Sequence, residues 1–269
     1  MAMIDEIKEQ TKKMKDMTPK QKWSYFWEYY KIHVLVICLI LFFLITLARD
    51  IMNSKDTVFY TAVINADTET LTEDVTARWN EDLEEILQIN TKKEEVFFDT
   101  GFTLSNDRDS QYDYTTLQKL MVMAGSQSLD AVVANTGVFE FYAQSSFFIP
   151  MEELLTPEQY EKLQPYFYYT DFATISDDDA NIEMAEQEAM EAEKKAAVID
   201  HHDPSTMEQP VAVGLFIDGS QKWVESGAYV LLADSQQTYQ GYPESGVLGI
   251  SLGTRHSDYA LQYIDYFFE

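Results

Sequence analysis

One uncharged stretch constrains this chain more than any other feature. It begins at Ile32, ends at Ala48 and reads IHVLVICLILFFLITLA, with no Gly, Pro, Asp, Glu, Lys or Arg. With the aromatic turn before it, the run from Trp27 to Leu47 has 21 residues. At about 1.5 Å of rise per residue, a helix of that length crosses a hydrocarbon core of about 30 Å. The stretch therefore predicts one helix that spans a lipid bilayer.

Basic residues are distributed unequally on the two sides of this stretch. Seven lysines precede it, and only Arg49 and Lys55 occur in the twenty residues that follow. Since Lys and Arg close to a span stay on the cytoplasmic side, we expect a single-pass protein of the cell membrane. Its N-terminus is cytoplasmic and its part from residue 50 onward is extracytoplasmic. The seven lysines are Lys8, Lys12, Lys13, Lys15, Lys20, Lys22 and Lys31.

Three other interpretations of the stretch fit less well. A cleaved signal peptide has a short basic lead and a small-residue exit, whereas this lead has 31 residues and the candidate exit at the end of the apolar stretch, Thr46-Leu47-Ala48, is poor. A lipoprotein signal needs a small residue before its cysteine, but Ile37 precedes Cys38. A buried helix of a soluble domain leaves the preceding rings unexplained, since they are typical of an interfacial belt. These rings belong to Trp23, Tyr25, Phe26, Trp27, Tyr29 and Tyr30.

The N-terminal part divides into residues 1–17 and residues 18–49. Thr18 and Gln21 have the spacing of a capping box, and Pro19 suits the first helical position. We expect one helix from there through the membrane. Residues 1–17 carry apolar residues near helical spacing, which is typical of a cytoplasmic amphipathic segment on the inner membrane surface or of a short solvated helix. These apolar residues are Ile4, Ile7, Met14 and Met17.

The outer part, residues 50–269, is strongly acidic and contains no cysteine. It carries 41 Asp and Glu against 11 Lys and Arg, a net charge of −30. Such a charge repels phosphate backbones, so nucleic acid is excluded as a partner, although acid also simply keeps an exposed domain soluble. Without cysteine there are neither disulfides nor thiolate metal sites. The outer part must fold as one domain on its hydrophobic core alone.

Strands and helices alternate in the first half of the outer part. Apolar β-branched runs predict the strands, and apolar residues at steps of three and four predict the helices. This alternation favours parallel strands with right-handed crossovers, hence a three-layer α/β domain with a mainly parallel sheet. The predicted strands are residues 57–66, 96–98 and 129–134, and the predicted helices are residues 71–87, 114–125 and 138–144.

Polar turn residues follow each of these three strands. In sheets of this kind, ligands lie beyond the carboxyl ends of the strands. We therefore expect three turns to converge on one crevice, although turn residues of these types also occur without a ligand. The candidate ligand-binding residues are Asn65, Asp67, Thr100, Gly101, Asn135 and Thr136.

The second half of the outer part begins with an acidic segment. Residues 177–204 are rich in Ala, Glu, Met and Lys with few large apolar residues, which predicts an exposed helix or insertion. Further strands are expected at residues 210–218, 228–233 and 247–252. One apolar face of a terminal helix then packs on the sheet through Ala260, Ile264, Phe267 and Phe268.

Residues 117–155 resemble the first lobe of an extracellular solute-binding protein of the importer-associated, periplasmic-binding-protein-like family. In that family a helix ends in a small residue, an apolar strand begins with an acid, a helix carries an aromatic pair, and a Phe-x-Pro-x-x-x-Leu loop closes the unit. The resemblance implies a lobe of this fold and non-enzymatic capture of a solute. The outer part is too short for a full second lobe. The matching residues are Gly125, Asp130, residues 131–133, Phe141, Tyr142, Phe148, Pro150 and Leu154, and residues 257–268 resemble the late helix.

Two short patterns match metal-dependent chemistry without the context that such chemistry needs. Asp200-His201-His202 matches the signature of DHH phosphoesterases, but its lead-in reads as helix rather than strand. An acidic run from Asp177 has the spacing of a calcium loop, but Ile182 stands where the sharp turn needs glycine. We therefore predict no metal, no cofactor and no catalytic residue. A cluster of three tyrosines suits either a stacked ligand or core packing, namely Tyr166, Tyr168 and Tyr169.

These patterns together predict a non-enzymatic, membrane-anchored extracytoplasmic domain. Its expected partners are the lipid bilayer through Ile32 to Ala48, a small-molecule ligand and a membrane protein. Its role would be ligand capture, sensing or accessory work. The alternative is a structural or protein-interaction module of the cell envelope that has no ligand pocket.

Overall fold

The structure is a computed structural model that describes residues 18–104, 111–172, 199–229, 238–239, 242–243 and 245–269. The chain forms two compact units, Met1–Ser54 and Lys55–Glu269. The predicted segment 1–17 and most of the predicted acidic insertion, including the calcium-loop spacing, lie outside the described residues.

The first unit contains one long helix, α1 (Pro19–Asn53). It begins with the predicted capping box, because the Gln21 N–H donates to Thr18 Oγ1 at 3.4 Å and the Thr18 N–H donates to Gln21 Oε1 at 3.0 Å. Its window Tyr30–Arg49 is long and apolar enough to cross a membrane by length and composition, and it is not buried in the structure. Membrane anchors and signal sequences both have these properties.

The second unit is built around a six-stranded sheet. Its order is β2-β1-β3-β8-β5-β4, and β6 pairs separately with β7. The strands are β1 (Asp56–Ile64), β2 (Glu94–Phe102), β3 (Ala131–Asn135), β4 (Phe167–Asp171), β5 (Pro210–Phe216), β6 (Thr238–Tyr239), β7 (Tyr242–Pro243) and β8 (Gly246–Ile250).

The sheet is mixed rather than uniformly parallel. β1 is parallel to β2 and β3, β8 is antiparallel to β3 and β5, and β4 is antiparallel to β5. Four of the six strands, β1, β2, β3 and β5, therefore point in one direction, as expected for a mainly parallel sheet. Three of the five pairings are nevertheless antiparallel, because β8 and β4 run in the opposite direction to the other four strands.

Helices cover both faces of the sheet, which confirms the predicted three-layer arrangement. On one face, Trp79, Trp223 and Phe267 form an aromatic core, with ring centroids 4.7 Å apart for the two tryptophans. On the other face, Leu120 and Phe139 pack on β3 and its neighbours. The helices are α2 (Glu73–Ile86), α3 (Gln111–Gly125), α4 (Thr136–Ala143), α5 (Met151–Leu154), α6 (Pro157–Leu163), α7 (Gln221–Ser226) and α8 (Ser257–Phe268).

Two sequence interpretations of the later chain need correction. Tyr168 and Tyr169 lie in β4, an edge strand that the sequence pattern did not predict, and Tyr166 precedes it; Tyr168 is fully buried in the core, in agreement with the core-packing interpretation of this cluster. The predicted strand at residues 228–233 begins instead as a turn over Ala228 and Tyr229, and residues 230–233 lie outside the described ranges. Both segments are short, so neither carries enough alternation to set its period.

Gly249 provides a test of the packing around the central strand. A Cβ at Gly249 would lie 2.7 Å from the rings of Phe139 and Phe148, which stack at 4.2 Å between centroids. Gly249→Ala should therefore lower the free energy of unfolding by about 1–3 kcal/mol through overpacking. The matched control is Gly125→Ala at the end of α3, where nothing lies within 4 Å of the new Cβ. Urea denaturation of both variants measures the difference, and equal stability would contradict the packing described.

Candidate functional site

The carboxyl ends of β1 and β3 bring two asparagines together. These strands are paired, with Val63 opposite Val133, so the residues after them lie side by side. The Asn65 amide Nδ2 donates to Asn135 Oδ1 at 3.1 Å. Asn135 is buried and Asn65 is half-buried. The structure thus brings together Asn65 and Asn135, two of the predicted site residues, while their role in ligand binding stays a prediction.

Asn65 also connects this point to β2. Its backbone has φ of 58°, in the left-handed region that asparagine tolerates better than most residues. Its Oδ1 accepts from the Leu104 N–H at 2.7 Å, and its own N–H donates to the Phe102 carbonyl at 3.0 Å. One amide side chain therefore accepts from the end of β2 and donates to the end of β3. Only a side chain with both a donor and an acceptor can do this.

Thr136 and Asp67 are held by neighbouring turns. Thr136 is buried as the first residue of α4, and its Oγ1 donates to the Ser245 carbonyl at 3.0 Å and accepts from the Ser245 N–H at 3.2 Å. Asp67 Oδ1 accepts from the Glu69 N–H at 2.9 Å, and the Asp67 N–H donates to the Ala228 carbonyl at 2.8 Å. The predicted turn at residues 135–137 is absent here, because β3 leads directly into α4.

Thr100 and Gly101 do not lie at a strand end, which corrects the prediction for the third turn. β2 continues to Phe102, and Thr100 and Gly101 of β2 face the single residue Val63 of β1, between the pairs Ala62–Asp99 and Ile64–Phe102. The extra residue makes a β-bulge, and the Gly101 N–H donates to Asp99 Oδ1 at 2.8 Å. Glycine in a strand often marks such a bulge, so its presence did not mark the end of the strand.

Tyr229 lies at the same strand ends and was missed by the sequence analysis. Its hydroxyl lies 2.7 Å from the Ile64 carbonyl and 3.1 Å from the Val133 carbonyl. Complete burial raises the pKa of Tyr229 well above 10, so the phenol keeps its proton as a donor. A tyrosine in an apolar run needs a partner for its hydroxyl, and this was the one available signal.

A buried carboxylate lies one helical turn beyond Thr136. Glu140 on α4 accepts from the Tyr168 hydroxyl at 2.7 Å, from the Thr170 hydroxyl at 2.9 Å and from Gln144 Nε2 at 3.0 Å. Burial raises the pKa of Glu140, and the nearby His201 and these three donors lower it in part. The sequence analysis missed Glu140, since its partners are remote in sequence.

The Asp200-His201-His202 triplet lies beside this carboxylate, and its two histidines make different contacts. His201 is buried, stacks on Tyr168 at 4.5 Å, and its Nδ1 lies 2.7 Å from the Tyr169 carbonyl and 3.9 Å from Glu140 Oε2. His202 instead stacks on Phe216. Within the part of the chain that the structure describes, no group of three or more His, Cys, Asp or Glu is placed to hold a metal ion.

Comparisons with known proteins identify no family for this chain. No protein-family model matches it, and no curated protein matches it. A solved structure with detectable similarity is an ABC substrate-binding protein from Listeria monocytogenes in complex with cycloalternan. The two are 11% identical, with a TM-score of 0.31 over 79% of this chain and 75% of that chain. A TM-score this low carries no argument on fold or function, so the resemblance to solute-binding proteins stays a prediction.

Glu140 yields a pH-dependent prediction. Its ordinary pKa is 4.5 and its folded pKa is higher, so the folded state holds the proton more tightly than the unfolded chain. The stability contributed by that proton is complete below pH 4.5 and is lost as the pH rises through the folded pKa. Wild type should therefore lose stability relative to Glu140→Gln as the pH rises above 4.5, as measured by urea denaturation of the full chain in mild detergent.

The control is Glu152→Gln, an exposed carboxyl on α5. It should leave the pH profile of wild type unchanged within about 0.5 kcal/mol. A Glu140→Gln profile identical to that of wild type would contradict the raised pKa of Glu140. Glu140→Ala should cost about 2–4 kcal/mol below pH 4.5, because it leaves the Tyr168 and Thr170 hydroxyls buried without their acceptor, and the cost should shrink as the pH rises and the wild type loses the stability contributed by the proton.

Proposed function

We propose that this protein is a membrane-anchored extracytoplasmic domain that captures a small solute without chemical conversion. α1 is its anchor and the Lys55–Glu269 unit is its binding domain. The solute site lies at the carboxyl ends of β1 and β3. The role is solute capture, sensing, or accessory work beside a membrane protein.

The observation that carries the proposal is the hydrogen bond between Asn65 and Asn135 at two adjacent parallel strand ends. Ligands of open α/β sheets lie at this edge of the sheet. The amide groups there combine donors and acceptors without charge, and the hydroxyls of Thr136 and Tyr229 hold the surrounding backbone. Neutral polar groups on rigid strand ends suit a neutral polar solute better than an ion.

The absence of an evident reacting group supports a binding role over an enzymatic one. The hydroxyl of Tyr229 lies within hydrogen-bond distance of two backbone carbonyls, and the hydroxyl of Thr136 donates to the Ser245 carbonyl. The Nδ1 atom of His201 lies near the Tyr169 carbonyl and the Glu140 carboxylate. Nucleophilic catalysis needs a nucleophile within reach of a base. No such pair is found among the described residues at these strand ends.

A solute screen tests the binding site. The full chain in mild detergent is screened by thermal shift against sugars, amino acids and peptides, and a bound solute should raise the melting temperature. Asn135→Ala should need at least about ten times more solute to reach the same shift, since a lost polar contact costs about 1.4 kcal/mol or more. Asn90→Ala, at an exposed turn, is the control. A solute that shifts wild type and Asn135→Ala equally would place binding elsewhere.

The anchoring and its orientation have a separate test. Protease added to intact cells should degrade the chain beyond residue 55 and leave an N-terminal fragment in the membrane, because seven lysines keep that end inside. The fragment is detected with an N-terminal epitope tag. Protection of the second unit in intact cells, with loss after the cells are opened, would reverse the proposed orientation.

A second candidate function is a protein-interaction module of the cell envelope without a ligand pocket. Exposed apolar side chains on neighbouring segments favour it, namely Val122, 69% exposed on α3, and Leu252, 60% exposed after β8. These segments approach closely, since a Cβ at Gly253 would lie 2.2 Å from the Ala124 carbonyl oxygen. A companion that co-purifies with wild type but not with Val122→Glu/Leu252→Glu, with no solute shift, would favour this module over solute capture.

A further inference from the structure

A side chain of the protein itself occupies the place that the proposed function gives to a solute. The Tyr229 hydroxyl lies 2.7 Å from the Ile64 carbonyl and 3.1 Å from the Val133 carbonyl, near the ends of two adjacent parallel strands. This is the edge of the sheet at which open α/β proteins bind their ligands. Tyr229 is buried there. We call the space that its ring and hydroxyl fill the strand-end site.

A glycine makes room for the ring in the strand-end site. Gly246 is the first residue of β8 and pairs with Asn135. A Cβ at Gly246 would lie 2.9 Å from the ring carbon Cδ2 of Tyr229, and it would also overlap with Ile217. Any larger residue would therefore take away the room for a ring beside Asn135. The strand-end site thus has apolar walls and two carbonyl oxygens at its end.

The turn that carries Tyr229 is attached to the loop after β1. α7 is followed by Gly227, whose φ of 70° lies in the left-handed region. Thr70 Oγ1 donates to the Gly227 carbonyl at 2.9 Å, and the Asp67 N–H donates to the Ala228 carbonyl at 2.8 Å. Thr70 is exposed, and segments held by hydrogen bonds at the surface open at a lower free-energy cost than core segments. This turn is therefore the element that can withdraw the ring.

The contacts of Tyr229 define the chemistry that the strand-end site accepts. Its two carbonyl oxygens are acceptors only, so they require a donor. Burial raises the pKa of Tyr229 well above 10, so the phenol keeps its proton and donates it. The apolar walls suit a flat ring and disfavour a charged group. A neutral ring with one hydroxyl donor meets both requirements.

We propose that the strand-end site binds a neutral solute whose ring carries a hydroxyl donor, and that Tyr229 fills it as an internal ligand that this solute displaces. The inference rests on the proposed solute capture and adds a ligand class and an autoinhibitory contact. The incoming hydroxyl replaces that of Tyr229 on the Ile64 and Val133 carbonyls. The exchange therefore leaves neither acceptor without its donor.

Competition with Tyr229 is tested with p-cresol, which has the ring and the hydroxyl of a tyrosine side chain. Binding to the full chain in mild detergent is measured by thermal shift and titration calorimetry. Tyr229→Phe keeps the ring but removes the hydroxyl, so the internal ligand competes less well. p-Cresol should bind this variant about fivefold more tightly than wild type, since one hydrogen bond is worth about 1 kcal/mol.

The matched control is Tyr263→Phe. Tyr263 is also fully buried, and its hydroxyl lies 3.2 Å from Thr61 Oγ1. This variant should bind p-cresol as wild type does. Tyr229→Ala removes the internal ligand and should bind p-cresol at least about tenfold more tightly than wild type, since burial of a ring is worth about 1.5 kcal/mol or more. Tyr229→Phe gives the answer even where Tyr229→Ala fails to fold.

Toluene tests the need for a hydroxyl. It has the same ring and methyl group as p-cresol, and it should bind Tyr229→Phe and Tyr229→Ala at least about fivefold more weakly than p-cresol does. Equal binding of the two probes would overturn the hydroxyl requirement. p-Cresol that binds Tyr229→Phe no more tightly than wild type, or that binds neither protein, would overturn the displacement of Tyr229.

The remaining outcomes separate this inference from the proposed solute capture. A sugar or amino acid that shifts wild type but not Asn135→Ala, while p-cresol shifts neither, overturns the ligand class and leaves solute capture intact. Absence of any shift with every solute, together with no binding of p-cresol to Tyr229→Phe, overturns both proposals.

Discussion

The pairing of β8 with both β3 and β5 is the interaction on which the domain depends. β8 lies between these strands, with Val133 opposite Leu248 on one side and Leu215 opposite Leu248 on the other. Without it, the half-sheet β2-β1-β3 and the pair β5-β4 would share no hydrogen bond in the described sheet. Every residue of β8 is buried, so the strand also contributes side chains to the cores on both faces of the sheet.

The fold of residues 56–143 could be predicted from sequence because its signals are local. Trp79 and Leu83 recur at helical spacing, and the run before Asn65 is continuously apolar, as parallel strands require. β4 could not be predicted in this way. Its five residues are three aromatic residues followed by Thr170 and Asp171, without alternation, and their strand conformation comes from pairing with β5 rather than from their own pattern. The antiparallel position of β8 likewise depends on pairing with β3, which lies more than a hundred residues earlier in the chain. Local periodicity does not predict such a contact.

The candidate site was predictable to a similar degree. Asn65 and Asn135 were found because each follows a recognisable strand and parallel strands end at one edge of the sheet. Thr100 and Gly101 were misplaced because a bulge and a strand end use the same residue types. Glu140 and Tyr229 were not predicted, because their hydrogen-bond partners are remote in sequence and become neighbours only in the folded chain. A buried carboxylate and a buried phenol are identified by their donors and acceptors rather than by their neighbours in sequence.

The central place of β8 also governs the order in which the domain can be completed. The strand in the middle of the sheet follows β3 by more than a hundred residues, so a chain that emerges N-terminus first exposes the free edge of β3 until residue 250 has left the ribosome. An open strand edge is a template for wrong pairing. A domain of this topology therefore exposes an unpaired strand edge for longer during synthesis than a domain whose neighbouring strands follow each other along the chain.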